Sequence, residues 1–355
     1  MKPCFIPVLF VCSLLIGITG GCSTDLDLNA EYEDIPIIYG LLDVEDSTHY
    51  VRIQKAFLGQ KSAQDIAGNH DSLYYDHELD VTVRAVNDNG EPNGATYNLE
   101  RLNGDTLGLP KDEGMFAEDP NELYRFKGQL NPNATYKLTM TNPKSGKTVS
   151  AITKMVQDFE VKRPLPNNSN TEIPVRFQPE RSEPFKWDAA PNGKVNELLM
   201  RFRYFEWPKG SPGQKEAKHF TWRVINRELT DAGQQEHEVK KGGIVFFSTV
   251  SDQLEADPSI RRAVDTVKNQ KFTYNVGAED LYNYVRVGEA QTGITELQVT
   301  PQYSNFDEGL GILSSVYTKE LDNIKLADKT IDSLACNTLT KELNFRNSKG
   351  AFDCE

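Results

Sequence analysis

The feature that most constrains this chain is a repeated unit: a short run of alternating apolar and polar residues that ends in a turn. The clearest example is Val81-Thr82-Val83-Arg84-Ala85-Val86, followed by Asn87-Asp88-Asn89-Gly90. Alternation with period two puts one set of side chains on one face of a strand, and Asn-Gly favours the turn of a hairpin. Similar runs fall at Pro36 to Leu42, His49 to Phe57, Leu79 to Val86, Ala95 to Leu102, Tyr124 to Leu130, Thr135 to Thr141 and Thr148 to Thr153. Strands at this spacing predict a mainly β chain whose first part, 34–156, is an immunoglobulin-like β-sandwich.

The full length of 355 residues predicts two domains on the usual size range. Between Arg163 and Pro184 the chain turns rich in Pro, Asn and Ser, which places a boundary segment at 157–184. A second mainly β domain is expected over 185–335, with a C-terminal tail at 336–355. Its strands are read at Glu197 to Trp207, Phe220 to Leu229, Ile244 to Thr249, Lys271 to Val276, Tyr284 to Ala290 and Leu297 to Tyr303. Ser251 as N-cap with Leu254, Ile260, Val264 and Val267 on one face predicts a helical insertion over Val250 to Asn269.

At the N-terminus, Lys2 precedes an apolar stretch from Phe5 to Ile18 that ends in Thr19-Gly20-Gly21-Cys22. The stretch is too short to span a bilayer and has the layout of a signal peptide, residues 1–21. Small residues ending on a cysteine predict lipidation of Cys22, with 22–33 as a polar tether. The alternative is an ordinary secretory peptide cut near Gly20 or Gly21. Thr19 stands where Leu is commoner. Each buried methylene contributes about 0.8 kcal/mol, so two or more acyl chains anchor stably. Asp25 and Asp27 close behind the cysteine resemble the acidic export signals of Bacteroidota surface lipoproteins.

Cys4 and Cys12 leave with the signal peptide, so Cys336 and Cys354 remain once Cys22 is acylated. In an oxidising compartment this pair reads as a disulfide contributing about 3 kcal/mol in the chain-entropy model, the alternative being two free thiols in a frayed tail. The net charge of −13 and scattered Lys and Arg argue against a nucleic-acid partner.

Local motifs for chemistry are weak. Gly146-Lys147-Thr148 imitates the end of a phosphate loop but lacks the upstream glycine, where Thr141 stands, and a following helix. His70 and His77, with Asp71, Asp76 and Glu78, lack the tight spacing of a metal site. No Gly-x-Ser-x-Gly or His-Glu-x-x-His occurs, so no catalytic residue, metal or cofactor is assigned. Glycosidase carboxylates stay open, because they need no local spacing. Asn305 to Ser315, with Gly309 and Gly311, reads as a tight turn that sets Leu310, Ile312 and Leu313 against a core. Trp187, Trp207, Trp222, Tyr204 and Phe205 are candidates for an aromatic ligand surface, although alternation sends most of them inward.

Two segments carry a family resemblance. Asp34-Ile35-Pro36-Ile37-Ile38-Tyr39-Gly40-Leu41-Leu42-Asp43 with Tyr50-Val51-Arg52-Ile53-Gln54-Lys55-Ala56-Phe57-Leu58-Gly59 is one, and Tyr303-Ser304-Asn305-Phe306-Asp307-Glu308-Gly309-Leu310-Gly311-Ile312-Leu313-Ser314-Ser315 is the other. Both resemble Bacteroidota outer-membrane lipoproteins built on a β-sandwich domain of unknown function, often found near TonB-dependent receptors. The resemblance implies an outer-membrane, cell-surface, lipid-anchored protein. Its role would be to bind a surface glycan or peptide or to assist an outer-membrane transporter; a structural or adhesive role is the alternative. The sequence Asp-Ser/Thr followed by a small or aliphatic residue resembles the O-glycosylation signal of such exported proteins. It occurs at Ser47, Ser72, Thr106, Ser333 and Thr266, against roughly one expected by composition. Thr266, inside the predicted helix, is discounted, and turns or caps favour the same dipeptides.

Overall fold

The computed structural model describes residues 34–56, 67–111, 114, 120–166, 172–290, 303–352 and 354. Cys22, the signal segment, the tether and most of the strand expected at Leu297 to Tyr303 lie outside the described residues. The chain is mainly β. Its first part holds β1 (Pro36–Asp43), β2 (Thr48–Lys55), the short α1 (His70–Leu73), β3 (Asp80–Val86), β4 (Pro92–Asn98), β5 (Glu100–Asn103), β6 (Glu122–Lys127), β7 (Thr135–Thr141) and β8 (Thr148–Lys154). There follow β9 (Val161–Arg163), β10 (Ser182–Asp188), β11 (Val195–Pro208), β12 (Glu216–Leu229), β13 (Glu236–Gly242), α2 (Gly243–Gln253), β14 (Ile260–Val264), β15 (Gln270–Gly277), α3 (Glu279–Ala290), β16 (Leu310–Ile324) and α4 (Asp328–Cys336).

One nine-stranded sheet runs through both halves in the order β12-β11-β15-β16-β1-β2-β6-β5, with β14 added on β11. Its centre is a parallel pair: β1 lies beside β16 with Ile37 opposite Leu310 and Asp43 opposite Val316. On the inner face, Ile38, Leu42, Val51 and Ile53 meet Val81, Val83, Leu138, Met140 and Val149 of the four-stranded sheet β4-β3-β7-β8. This two-layer packing follows from the alternation noted above. Further along the same face, Met200, Phe202, Phe272 and Tyr274 meet Phe185 and Trp187 of the three-stranded sheet β13-β10-β9, and Phe246 and Phe247 of α2.

The residues around the expected boundary serve this core. Val175 and Phe177 are fully buried, and the Phe177 ring stacks on Phe246 with centroids 4.4 Å apart. Pro164, Pro166 and Pro174 lie outside the strands, while the apolar residues that follow fill the space beneath the sheet. No break in the hydrophobic core separates 34–156 from 185–335 among the described residues, since one cluster holds residues from both.

The structure differs from three local expectations. The helix expected over Val250 to Asn269 is α2, which starts at Gly243, takes in the strand expected at Ile244 to Thr249, and ends at Gln253. Asp257 then accepts from both the Ser259 amide, at 2.7 Å, and its hydroxyl, at 2.6 Å, and this turn at Pro258 leads into β14. Val267, placed on the helix face, is 82% exposed. Gly243 begins α2 because a Cβ there would lie 2.0 Å from the Gln178 carbonyl oxygen. The segment Tyr284 to Ala290, read as a strand from its Tyr and Val content, belongs to α3. Its Leu281 and Val285, one helical turn apart, both face a cavity against the sheet.

Among the described residues, no second sheet lies over the outer face of the large sheet. Ile37, Tyr39 and Leu41 of β1 point there with Tyr50, Arg52 and Gln54 of β2, as the antiparallel register of the two strands requires. Opposite them on β16 stand Leu310, Ile312 and Ser314. Ile312 is 3% exposed and Ser314 fully buried, and α3 packs against this part of β16. No helix among the described residues is long and apolar enough to cross a membrane.

Candidate ligand-binding groove

Where α3 meets β1 and β16, the outer face opens into a cavity of about 310 Å³. Its walls are Ile37 and Tyr39 of β1, Tyr284 and Val287 of α3, Leu310 of β16, and Tyr303. Gly311, also in the lining, has φ +104°, and a Cβ there would lie 1.9 Å from the Ile38 carbonyl oxygen. Only glycine allows the two strands this approach.

The three phenols set the polarity of the cavity. Tyr39 is 37% exposed and meets Tyr284 edge-on, centroids 6.1 Å apart and planes at 74°. Burial, then the hydrogen bond with Tyr284, push the Tyr39 pKa up to about 12. The Tyr303 hydroxyl donates to the Asp280 carboxylate, and burial together with that contact raises it to about 12. Tyr39 and Tyr303 thus stay protonated and uncharged at neutral pH.

Tyr39 is shared with a second concavity of about 360 Å³, which runs over Leu41, Asp46, Thr48, Tyr50 and Arg52. Arg52 stands opposite Tyr39 in the β1–β2 register and donates through Nη2 to Asn121 Oδ1 at 3.0 Å. A third cavity of about 350 Å³ lies on the other flank of α3, where Arg223 pairs with Glu197 at 2.6 Å.

Another opening, of about 640 Å³, is lined by Asp158, Glu160, Asp188 and Lys319. Burial works to raise the Asp158 pKa, but the Lys319 ammonium, the Phe159 amide and the Tyr317 hydroxyl together outweigh burial and lower it. Asp188 is ion-paired to Lys162 at 2.6 Å. A general acid needs a raised carboxyl pKa, and Asp158 is shifted the opposite way.

The residues singled out in the sequence are dispersed. Trp187, Trp207, Trp222 and Tyr204 are buried and Phe205 is half-buried, so these aromatics build the core rather than a ligand surface. Cys336 and Cys354 are joined, Cα atoms 5.4 Å apart. The bridge ties the C-terminal segment to α4, and Phe345 of that segment is 1% exposed in the core. Ser47, Thr106 and Thr266 are exposed in turns or the short helical turn 105–107, whereas Ser72 and Ser333 are half-buried in α1 and α4. The helix that discounted Thr266 does not reach it, and the residue sits in the turn between β14 and β15.

His70 and His77 engage different partners. His70 Nε2 lies 3.2 Å from Glu122 Oε1, while His77 contacts Asp76 at 2.6 Å and Asn142 at 2.7 Å. Among the described residues no group of three His, Cys, Asp or Glu side chains is arranged to hold a metal ion. Gly146-Lys147-Thr148 closes the β7–β8 hairpin, with Gly146 at φ +74°. Of the Asn305 to Ser315 segment, Leu310 and onward form β16, with Leu313 fully buried.

The groove residues Tyr39, Tyr284 and Tyr303 carry no local motif. The available signal was Ile37-Tyr39-Leu41: three large apolar side chains on the strand face opposite Ile38 and Leu42, which leaves both faces of β1 apolar. No protein-family model matches the chain, and no curated protein shows significant similarity to it.

Proposed function

We propose that this chain is a lipid-anchored cell-envelope recognition protein, held in the outer membrane through acyl chains on Cys22. It faces the cell surface and binds its ligand without covalent chemistry, as an accessory of an outer-membrane TonB-dependent transporter. The observation that carries the reading is the tyrosine-walled groove: a cavity of ligand size, about 310 Å³, on a sheet face that no second sheet among the described residues covers. The small-residue run ending on Cys22, the acidic Asp25 and Asp27, and the resemblance of 34–59 and 303–315 to envelope lipoproteins support the location.

Fractionation tests the anchor. The wild-type chain is expected in the outer-membrane fraction and accessible to protease on intact cells, and Cys22→Ala is expected in the soluble fraction. Retention of the variant in membranes would overturn lipidation. A transporter that co-purifies with wild type from solubilised envelopes, and is lost with Tyr284→Ala, would support the accessory role; recovery unaffected by Tyr284→Ala would remove the groove from it.

A further inference from the structure

The chemistry of the groove narrows what it takes. Among the described residues, the Tyr39–Tyr284–Tyr303 cavity has no Lys, Arg, Asp or Glu in its lining, so an anionic group entering it would lose hydration with no cationic partner. The floor is also closed to one common mode of peptide capture. β1 is hydrogen-bonded to β2 on one edge and β16 on the other, leaving no free edge to which an extended peptide could add as a strand. What remains is side-chain chemistry: aromatic faces and edges, aliphatic carbons, and phenol oxygens, of which that of Tyr303, its hydrogen bond donated to Asp280, only accepts.

A neutral pyranose ring has the complementary surface, with C–H faces for the phenol rings and hydroxyls for their oxygens. Beyond Tyr39 the lining becomes polar, and Asp46, Thr48, Tyr50 and Arg52 supply acceptors and donors for further hydroxyls. The residues from Leu310 on β16 to Leu123 on β6 cross three strand spacings, about 14 Å, with Tyr39 between the two cavities. The chain's charge of −13 works against a polyanionic ligand.

We infer that the outer face binds a neutral oligosaccharide of at least two rings, one on each side of Tyr39. This rests on the groove being the ligand site.

The test is calorimetric titration of the full mature chain in detergent with glucose, maltotriose, cellotriose, N,N′-diacetylchitobiose, a galacturonate trimer and a neutral Gly-Ser-Tyr peptide. At least one neutral oligosaccharide should bind, more tightly than its monosaccharide. Tyr39→Ala should weaken that binding about tenfold, the scale of one aromatic contact, and Tyr39→Phe should recover most of it. Tyr50→Ala should weaken the oligosaccharide and leave the monosaccharide unchanged. Unchanged circular dichroism would show that the variants are folded. Tighter binding of the galacturonate trimer, or saccharide binding indifferent to Tyr39→Ala, would overturn the inference. Binding of the peptide alone, abolished by Tyr284→Ala, would overturn the saccharide and keep the groove. Binding of no probe would overturn both.

Discussion

Phe177→Ala separates a core segment from a linker. The residue falls inside the 157–184 stretch whose composition reads as a boundary, yet its ring is fully buried, 4.4 Å from Phe246 in a stacked arrangement and 5.7 Å from Trp222. Truncating a core Phe costs about 3–5 kcal/mol through lost transfer energy and the cavity left behind. Part of that is the aromatic contact itself, about 0.5–1.5 kcal/mol. We expect a loss near 4 kcal/mol, a large share of the 5–15 kcal/mol typical of a domain. Urea unfolding followed by tryptophan fluorescence measures it, because Trp222 lies beside the site. With a urea slope of about 3 kcal/mol/M, the midpoint should fall by more than about 1 M. A loss under about 1 kcal/mol is what a tether between two domains would give, and it would refute the single-core reading.

Gly311→Ala should destabilise by about 3 kcal/mol or more, since a Cβ at φ +104° meets the Ile38 carbonyl at 1.9 Å and backbone strain of this kind costs about 1–3 kcal/mol before any clash; a midpoint matching wild type would show that the strands are not so close. His237 is 1% exposed and stacks on Trp187 with centroids 4.8 Å apart, and burial lowers its pKa. Its contribution is therefore complete above the unfolded value near 6.5 and is lost as pH falls through the lower folded value. His237→Gln should flatten stability against pH below about 6.5, and an unchanged slope would remove His237 as its source. Titration of unfolded, unreduced mature protein should find no free thiol at Cys336 or Cys354; reduction should lower stability by about 3 kcal/mol, and two thiols before reduction would refute the bridge.

Strands with one buried face were legible. β7 matches its expected span, Thr135 to Thr141, residue for residue, because Tyr136, Leu138 and Met140 alternate with polar neighbours. The central strand was not. β16 sits between two strands and under α3, so Gly311 to Ser315 are buried on both faces, and a continuous buried run carries no period to read. α3 was mistaken for a strand because Tyr and Val content outweighed the Leu281 and Val285 spacing. The groove was hidden for another reason: Tyr39, Tyr284 and Tyr303 come from distant parts of the chain and meet only when β16 docks beside β1.

That docking dictates an order of events during synthesis. β1 is among the first structured segments to leave the ribosome, but its parallel neighbour begins at Leu310, with nearly the whole chain in between. Until then β1 can pair only with β2, and its other edge stays open, a template for pairing with foreign strands. Contacts of such sequence separation form slowly, because a long loop must close first. A nascent or C-terminally truncated chain ending before residue 310 therefore carries an unsealed central sheet, and the last 46 residues of the sequence act as the closing stave of the whole molecule.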